Sequence, residues 1–159
     1  MLTRLTPVDN FAPTLALLHR AFAVMNGRIK PPSSLHLLTT DTLRTEAETK
    51  EIWTLQDAGI PKACMILTAK PDTLYLGKLA VDPAHQGRGL ARQMLAHAIT
   101  RAQALGLPSL TLQTRIELVE NHALLAHMGF VETARTAHAG YSHPTSLTMV
   151  CQVPPDHTG

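Results

Sequence analysis

The chain has 159 residues and 17.3 kDa, which suits one domain and would cramp two. It is 45% hydrophobic and 16% charged, so it is not a disordered chain and can bury one sizeable core without staples. Fourteen basic side chains stand against twelve acidic ones and are scattered, so a net charge of +2 gives no footprint for nucleic acid.

No stretch approaches the roughly 20 apolar residues of a membrane span. The opening MLTRLTPVDNF lacks the apolar core of a signal peptide, so a cytoplasmic protein is expected. Cys64 and Cys151 each sit in an apolar run and are expected to be reduced and buried. His122 and His127 are five apart and share no helix face as an i, i+4 pair would, so no metal is expected.

Residues 2–6 suit a short first strand. Asp9 and Asn10 offer a helix cap, and Phe11, Leu15, Leu18, Phe22 and Met25 form one apolar stripe that stops near Gly27. Residues 27–34 read as a loop, and a shorter helix begins near Asp41 and runs through Leu43 and Ala47. The period then changes. Strands at 52–55 and 63–68 are joined through Asp57-Ala58-Gly59, and a third strand covers 74–81.

A long amphipathic helix follows, with Leu90, Met94, Leu95, Ala98, Ile99, Ala102 and Leu105 on one side and Arg92, Gln93, Thr100 and Arg101 on the other. Residues 110–114 read as strand, 119–128 as helix, 130–135 as strand, and 147–153 as an alternating last strand. This order predicts an α/β (α+β) fold: a mixed central sheet of about six to seven strands flanked by about four helices. One domain over residues 1–153 and a tail over 154–159 are expected.

The chemistry concentrates in Leu79-Ala80-Val81-Asp82-Pro83-Ala84-His85-Gln86-Gly87-Arg88-Gly89-Leu90-Ala91. A strand ends, and a Gly-rich bend opens directly into the longest helix. Gly87 and Gly89 let backbone approach a ligand, and the free amides of a helix's first turn favour an anion. Arg88 and Arg92 add charge at the rim. Physics alone fits a phosphate or pyrophosphate there, or a plain strand-to-helix turn. A dinucleotide fingerprint would need glycine where Arg92 stands, and the Gly-Lys-Ser/Thr phosphate loop occurs nowhere.

Gln86, Gly89 and Ala91 match the Gln/Arg-x-x-Gly-x-Gly/Ala signature of the GNAT acyltransferase superfamily, which this chain resembles. The element order, the strand running into Asp82-Pro83, and Met128-Gly129-Phe130 after the late helix extend the likeness over nearly the whole chain. The resemblance implies acetyl-CoA as co-substrate, with the backbone of Gln86, Gly87, Arg88, Gly89, Leu90 and Ala91 on the pyrophosphate. It also implies that the edge of Leu79, Ala80 and Val81 pairs with the pantetheine arm, an amide near Ala80 or Val81 polarising the thioester carbonyl.

The pattern departs from the family in one region. Where many members place a Tyr as general acid, four residues before the Gly of the Gly-Phe turn, this chain has Leu125. Where they often place Asn, eleven before it, stands Leu118, and Asn121 is the nearest amide, a CoA contact or a helix cap. Tyr141, in the loop before the last strand, and Glu117, after Gln113-Thr114-Arg115, are the candidate catalytic residues. The bland alternatives are a loop aromatic for Tyr141 and, for Glu117, an ion pair with Arg115 or a solvated charge. Glu120 suits the first turn of its helix.

Two functions fit. One is an N-acetyltransferase moving the acetyl group of acetyl-CoA to a primary amine by direct attack. The other is a catalytically degenerate acyl-CoA-binding sensor domain. The acceptor is expected to be a small-molecule or peptide amine; the resemblance implies that residues 27–41 form its wall, where Arg28, Lys30 and His36 suit an anionic or amino-acid-like acceptor or else a solvated loop. Neither a nucleic acid nor a membrane is expected as partner, and a homodimer stays open.

Overall fold

The computed structural model describes residues 1–155, for His36 the backbone only. Residues 156–159 of the expected tail lie outside the described residues. The strands are β1 Leu2–Leu5, β2 Glu51–Asp57, β3 Ile60–Ala69, β4 Leu74–Val81, β5 Ser109–Arg115, β6 Val131–Thr136 and β7 Ser146–Gln152. They form one seven-stranded sheet in the order β1-β2-β3-β4-β5-β7-β6, parallel only between β4 and β5. Helices α1 Ala12–Asn26 and α2 Thr40–Thr49 cover one face, α3 Leu90–Ala104 and α4 Val119–His127 the other. The expected mixed sheet flanked by four helices is what the chain adopts. None of the helices among the described residues is long and apolar enough to cross a membrane.

Local chemistry explains the turns. Ala58 and Gly59 have φ of 52° and 79°, the pair of positive angles that a two-residue hairpin uses to match strand twist. In β3 the side chains of Ala63, Met65 and Leu67 pack under α3, while Cys64 and Ile66 pack under α1 and α2. Because both faces are covered, this strand reads as an unbroken apolar run. Both cysteines are free and buried, and burial pushes the Cys64 thiol up to about 12.

Three expectations need correction. Phe11 and Leu18 of the expected stripe are buried and Leu15 and Phe22 pack at the margin, but Thr14, Leu17 and Ala21 make up the rest of the buried face of α1. The helix is apolar on more than one side, so a helical spacing fits two rotations, and contact with the sheet chooses between them. Its N-cap position is Phe11; Asn10 accepts from the Ala12 amide at 3.1 Å, and Asp9 turns back to the Thr6 amide at 2.7 Å. In α3, Leu105 is the C-cap and 42% exposed rather than part of the buried stripe.

Arg101, on the polar side of α3, is not left to solvent. Its guanidinium forks onto Glu51 at 2.7 and 2.8 Å, and the Trp53 indole donates to the same carboxylate at 2.8 Å. Arg101 holds the Glu51 carboxyl below its ordinary value, chiefly through that hydrogen bond. Beside it, His97 stacks edge-on against Trp53 at 4.2 Å, its Nε2 buried without a partner. Burial, with Arg101 adding repulsion, pulls the His97 pKa down.

Both shifts act in the same direction. The unfolded chain binds a proton at His97 near pH 6.5 and at Glu51 near pH 4.5, before the folded chain does at either site. Stability should therefore be full above pH 6.5, decline below it, and fall faster below pH 4.5. Thermal melts across pH check this. His97→Gln should flatten the decline between about 6.5 and 4.5, and an unchanged profile in that variant would refute the assignment.

Candidate active site

The cleft originates in β4. Its parallel pairing with β5 stops after Leu76↔Leu112, and the two strands separate beyond that point. Across β4 the register against β3 jumps from Ile66↔Gly77 to Cys64↔Ala80, so one extra residue sits in β4 opposite Met65. That bulge carries Lys78 at φ 52°, a strained angle for a side-chain-bearing residue. The bulge flips the strand: Leu74 and Leu76 face α3, yet Ala80 faces α1 and α2. Lys78 Nζ reaches Glu46 of α2 at 3.6 Å. The backbone of Leu79, Ala80 and Val81 thus forms one arm of a V whose other arm is the end of β5.

The Gly-rich loop lies at the end of the first arm. Asp82 turns the chain, its Oδ1 accepting from the Ala84 amide at 3.0 Å and its Oδ2 from Arg20 at 3.1 Å. The Ala84 hydrogen bond, with Arg20 contributing, keeps the Asp82 carboxyl below its ordinary value. Gly87 and Gly89 both have positive φ, 80° and 78°, so the loop needs glycine at these two places. Gly89 is the N-cap of α3, where no side chain caps the helix and the first turn holds no acidic residue. Gln86 to Gly89 are exposed, and a Cβ added at Gly89 would meet nothing within 4 Å. An uncapped 15-residue helix with an open, glycine-lined N-terminus presents its amides and its positive dipole end to an anion. Arg88 lies over the loop, its Nη1 3.1 Å from His85 Nδ1.

The second arm gathers polar groups. Thr114 shares a β5 face with Leu110 and Leu112, and its Oγ1 is buried without a partner. Arg115 points to the opposite face, where Nη1 donates to the Pro31 carbonyl at 2.6 Å. Glu117 accepts from the Lys30 amide at 3.0 Å through Oε2, while Oε1 is buried and unpartnered. No ion pair joins Glu117 to Arg115, so that expected alternative is corrected: among the described residues its partner is backbone. Tyr141, half-buried and edge-on to His143 at 5.8 Å, lies close enough to Arg115 to act on its charge. Arg28 and Glu120 form a fork, Nη2 to Oε2 at 2.9 Å, that holds the Glu120 carboxyl down at about 2. The expected wall segment therefore meets the end of β5, although the His36 side chain lies outside what is described.

Other expectations fare differently. Asn121 does not cap α4; Leu118 holds the N-cap position without a side-chain bond, and Asn121 lies exposed within the first turn. Leu125 is 5% exposed and packs in the core with Phe130 and Cys151, so α4 presents no phenol and no hydroxyl at that position. Tyr75 pairs with Thr111 before the strands part, and Tyr141 is the other phenol of the chain. Lys78 and Thr114 were not anticipated. The sequence signal for the bulge is the shift of large apolar residues from even positions, Leu74 and Leu76, to odd ones, Leu79 and Val81. A cavity of about 400 Å³ lined by Ile99, Met128, Val131, Val150 and Cys151 lies elsewhere, between α3, α4 and the β6–β7 edge.

A bulged strand thus parts from its parallel neighbour and runs into an uncapped Gly-loop helix, the arrangement expected of the GNAT acyltransferases. The comparisons agree. The model of the acetyltransferase (GNAT) family matches residues 18–130, and the chain belongs to that family. Its fold is shared with PaiA N-acetyltransferase from Thermoplasma acidophilum in complex with coenzyme A, at TM-score 0.81 and 10% identity, covering 96% of this chain and 98% of that one. A GNAT acetyltransferase from Elizabethkingia anophelis with acetyl-CoA bound superimposes at TM-score 0.70 and 15% identity, covering 96% and 97%. The ribosomal-protein-S18-alanine N-acetyltransferase from Escherichia coli does so at 0.68 and 22%, covering 100% and 98%.

Proposed function

We propose that this GNAT acetyltransferase moves the acetyl group of acetyl-CoA to a primary amine by direct attack. The observation that carries the reading is the V between β4 and β5, with the bulge at Lys78 on one arm and an unpartnered carboxylate oxygen of Glu117 beyond the other. The pyrophosphate takes the amides of the loop from Gln86 to Ala91, and the pantetheine runs along Leu79 to Val81. Family membership and two CoA-bound relatives of the same fold support acetyl-CoA as the donor.

The chemistry then follows from the groups at hand. An ammonium must lose a proton before it can attack, and Glu117 Oε1 is the acceptor for it, directly or through one water. The amine nitrogen bonds to the thioester carbon, and an amide of the bulged strand stabilises the resulting oxyanion. As the tetrahedral intermediate collapses, the C–S bond breaks and the sulfur leaves with its electron pair. The Tyr141 hydroxyl gives its proton to that thiolate, the nitrogen's second proton returns through water to the phenolate as the amide forms, and Glu117 releases the first proton to solvent.

Free thiol release from acetyl-CoA with a panel of primary amines tests the reading. Turnover is expected; tight CoA binding without turnover on any amine would favour the sensor alternative. Tyr141→Phe should lower kcat by roughly 10- to 100-fold with an unchanged KM for acetyl-CoA, a small general-acid effect because thiolate leaves readily. Full kcat in that variant, with chemistry limiting, would make water the proton source.

A further inference from the structure

Arg115 stands apart among the arginines. Three of them are half-buried: Arg44, Arg101 and Arg115. Arg44 pairs with Asp41 at 3.0 Å, and Arg101 forks onto Glu51. Arg115 alone of these has no carboxylate within ion-pair distance among the described residues. Its single hydrogen bond, Nη1 to the Pro31 carbonyl, leaves the Nε and Nη2 donors without a partner. Burial pulls its pKa below the ordinary guanidinium value although the Glu117 carboxylate, outside ion-pair distance, and Tyr141 act to raise it. A partly dehydrated guanidinium with its fork unfilled is a receptor for a planar oxyanion.

Its place gives that receptor a purpose. Arg115 is the last residue of β5, three beyond the final β4–β5 pair, so it stands at the open end of the V. It turns to the face of the Lys30–Pro31 loop, away from Thr114 and the α3 layer where the acetyl-CoA loop begins. On that same side Glu117 offers its unpartnered oxygen. One group suits an ammonium, the other a carboxylate.

Resting on the acetyl-transfer reading above, we infer that the acceptor is a small amine that also bears a carboxylate, in the manner of a free amino acid. Arg115 binds the carboxylate while Glu117 receives the proton of the amine. Arg28 plays no such part, since Glu120 already fills its fork.

The test is thiol release from acetyl-CoA with the standard amino acids, each paired with its carboxamide. An adjacent carboxylate keeps the amine more basic, so rates are expressed per unprotonated amine. The wild-type enzyme should favour the best acid over its carboxamide by roughly 10- to 100-fold in kcat/KM, the size of a charge-assisted fork. Arg115→Gln should abolish that preference, and Arg115→Lys, which keeps charge without the fork, should retain only part of it. Calorimetric titration of each variant with CoA should give wild-type affinity and so establish that it is folded. Carboxamides used as well as acids, a preference that survives Arg115→Gln, or no turnover of any acid by CoA-binding enzyme would each overturn the inference. Failure of the wild-type chain to bind CoA would instead defeat the acetyl-transfer reading itself.

Discussion

Gly89→Val should reduce acetyl-CoA affinity at least 100-fold while leaving a folded protein. Gly89 has φ 78°, a left-handed angle that a β-branched residue occupies only with strain of about 1–3 kcal/mol. The added side chain would meet no protein atom within 4 Å of its Cβ, so the fold itself gains no clash. Two consequences remain. The isopropyl group stands in the space into which the amides of α3 open, and relief of the strain swings those amides away. Calorimetry with acetyl-CoA, beside a thermal melt, separates binding from folding. Unchanged affinity in a folded variant would remove the pyrophosphate from this loop.

The Gly89 turn is already legible in the sequence. A Gly-x-Gly turn between an apolar strand and a strong helix is a local feature, and local backbone needs are inscribed in residue type. So were the Asp57-Ala58-Gly59 hairpin and the alternating last strand, where Leu147, Met149 and Cys151 are buried. What escaped were matters decided between distant segments. The rotation of α1 depends on the sheet beneath it, and the pairing of Arg101 with Glu51 spans 50 residues. The tie from Glu117 to the Lys30 amide spans 87, and the contact of Arg115 with Pro31 spans 84. Residue spacing along β5 and its following loop gave no sign that Arg115 and Glu117 would turn to residues 30 and 31 rather than to each other. The bulge at Lys78 is an intermediate case: the parity shift of the leucines is visible in the sequence, but its effect on the cleft requires β5 beside it.

Glu117→Gln should have the largest effect on chemistry. The glutamine can still accept from the Lys30 amide through its carbonyl oxygen, so the tie that holds the loop survives. In place of the unpartnered carboxylate oxygen it presents an amide that takes no proton. At neutral pH, where the acceptor is mostly ammonium, kcat/KM for the acceptor should fall by roughly 10²- to 10⁴-fold, the range for loss of a positioned base. The deficit should narrow as pH rises toward the amine's own pKa, because bulk solvent then performs the deprotonation. CoA affinity should hold, since Glu117 lies beyond the β5 arm and away from the Gln86–Ala91 loop. These three readouts distinguish a base from a brace. A purely structural Glu117 would lower activity by a constant factor at every pH or lower the melting temperature. A variant with wild-type kcat/KM at pH 7 under chemistry-limited conditions would assign the proton to water, and the Glu117 carboxylate would then serve only to anchor the loop at Lys30.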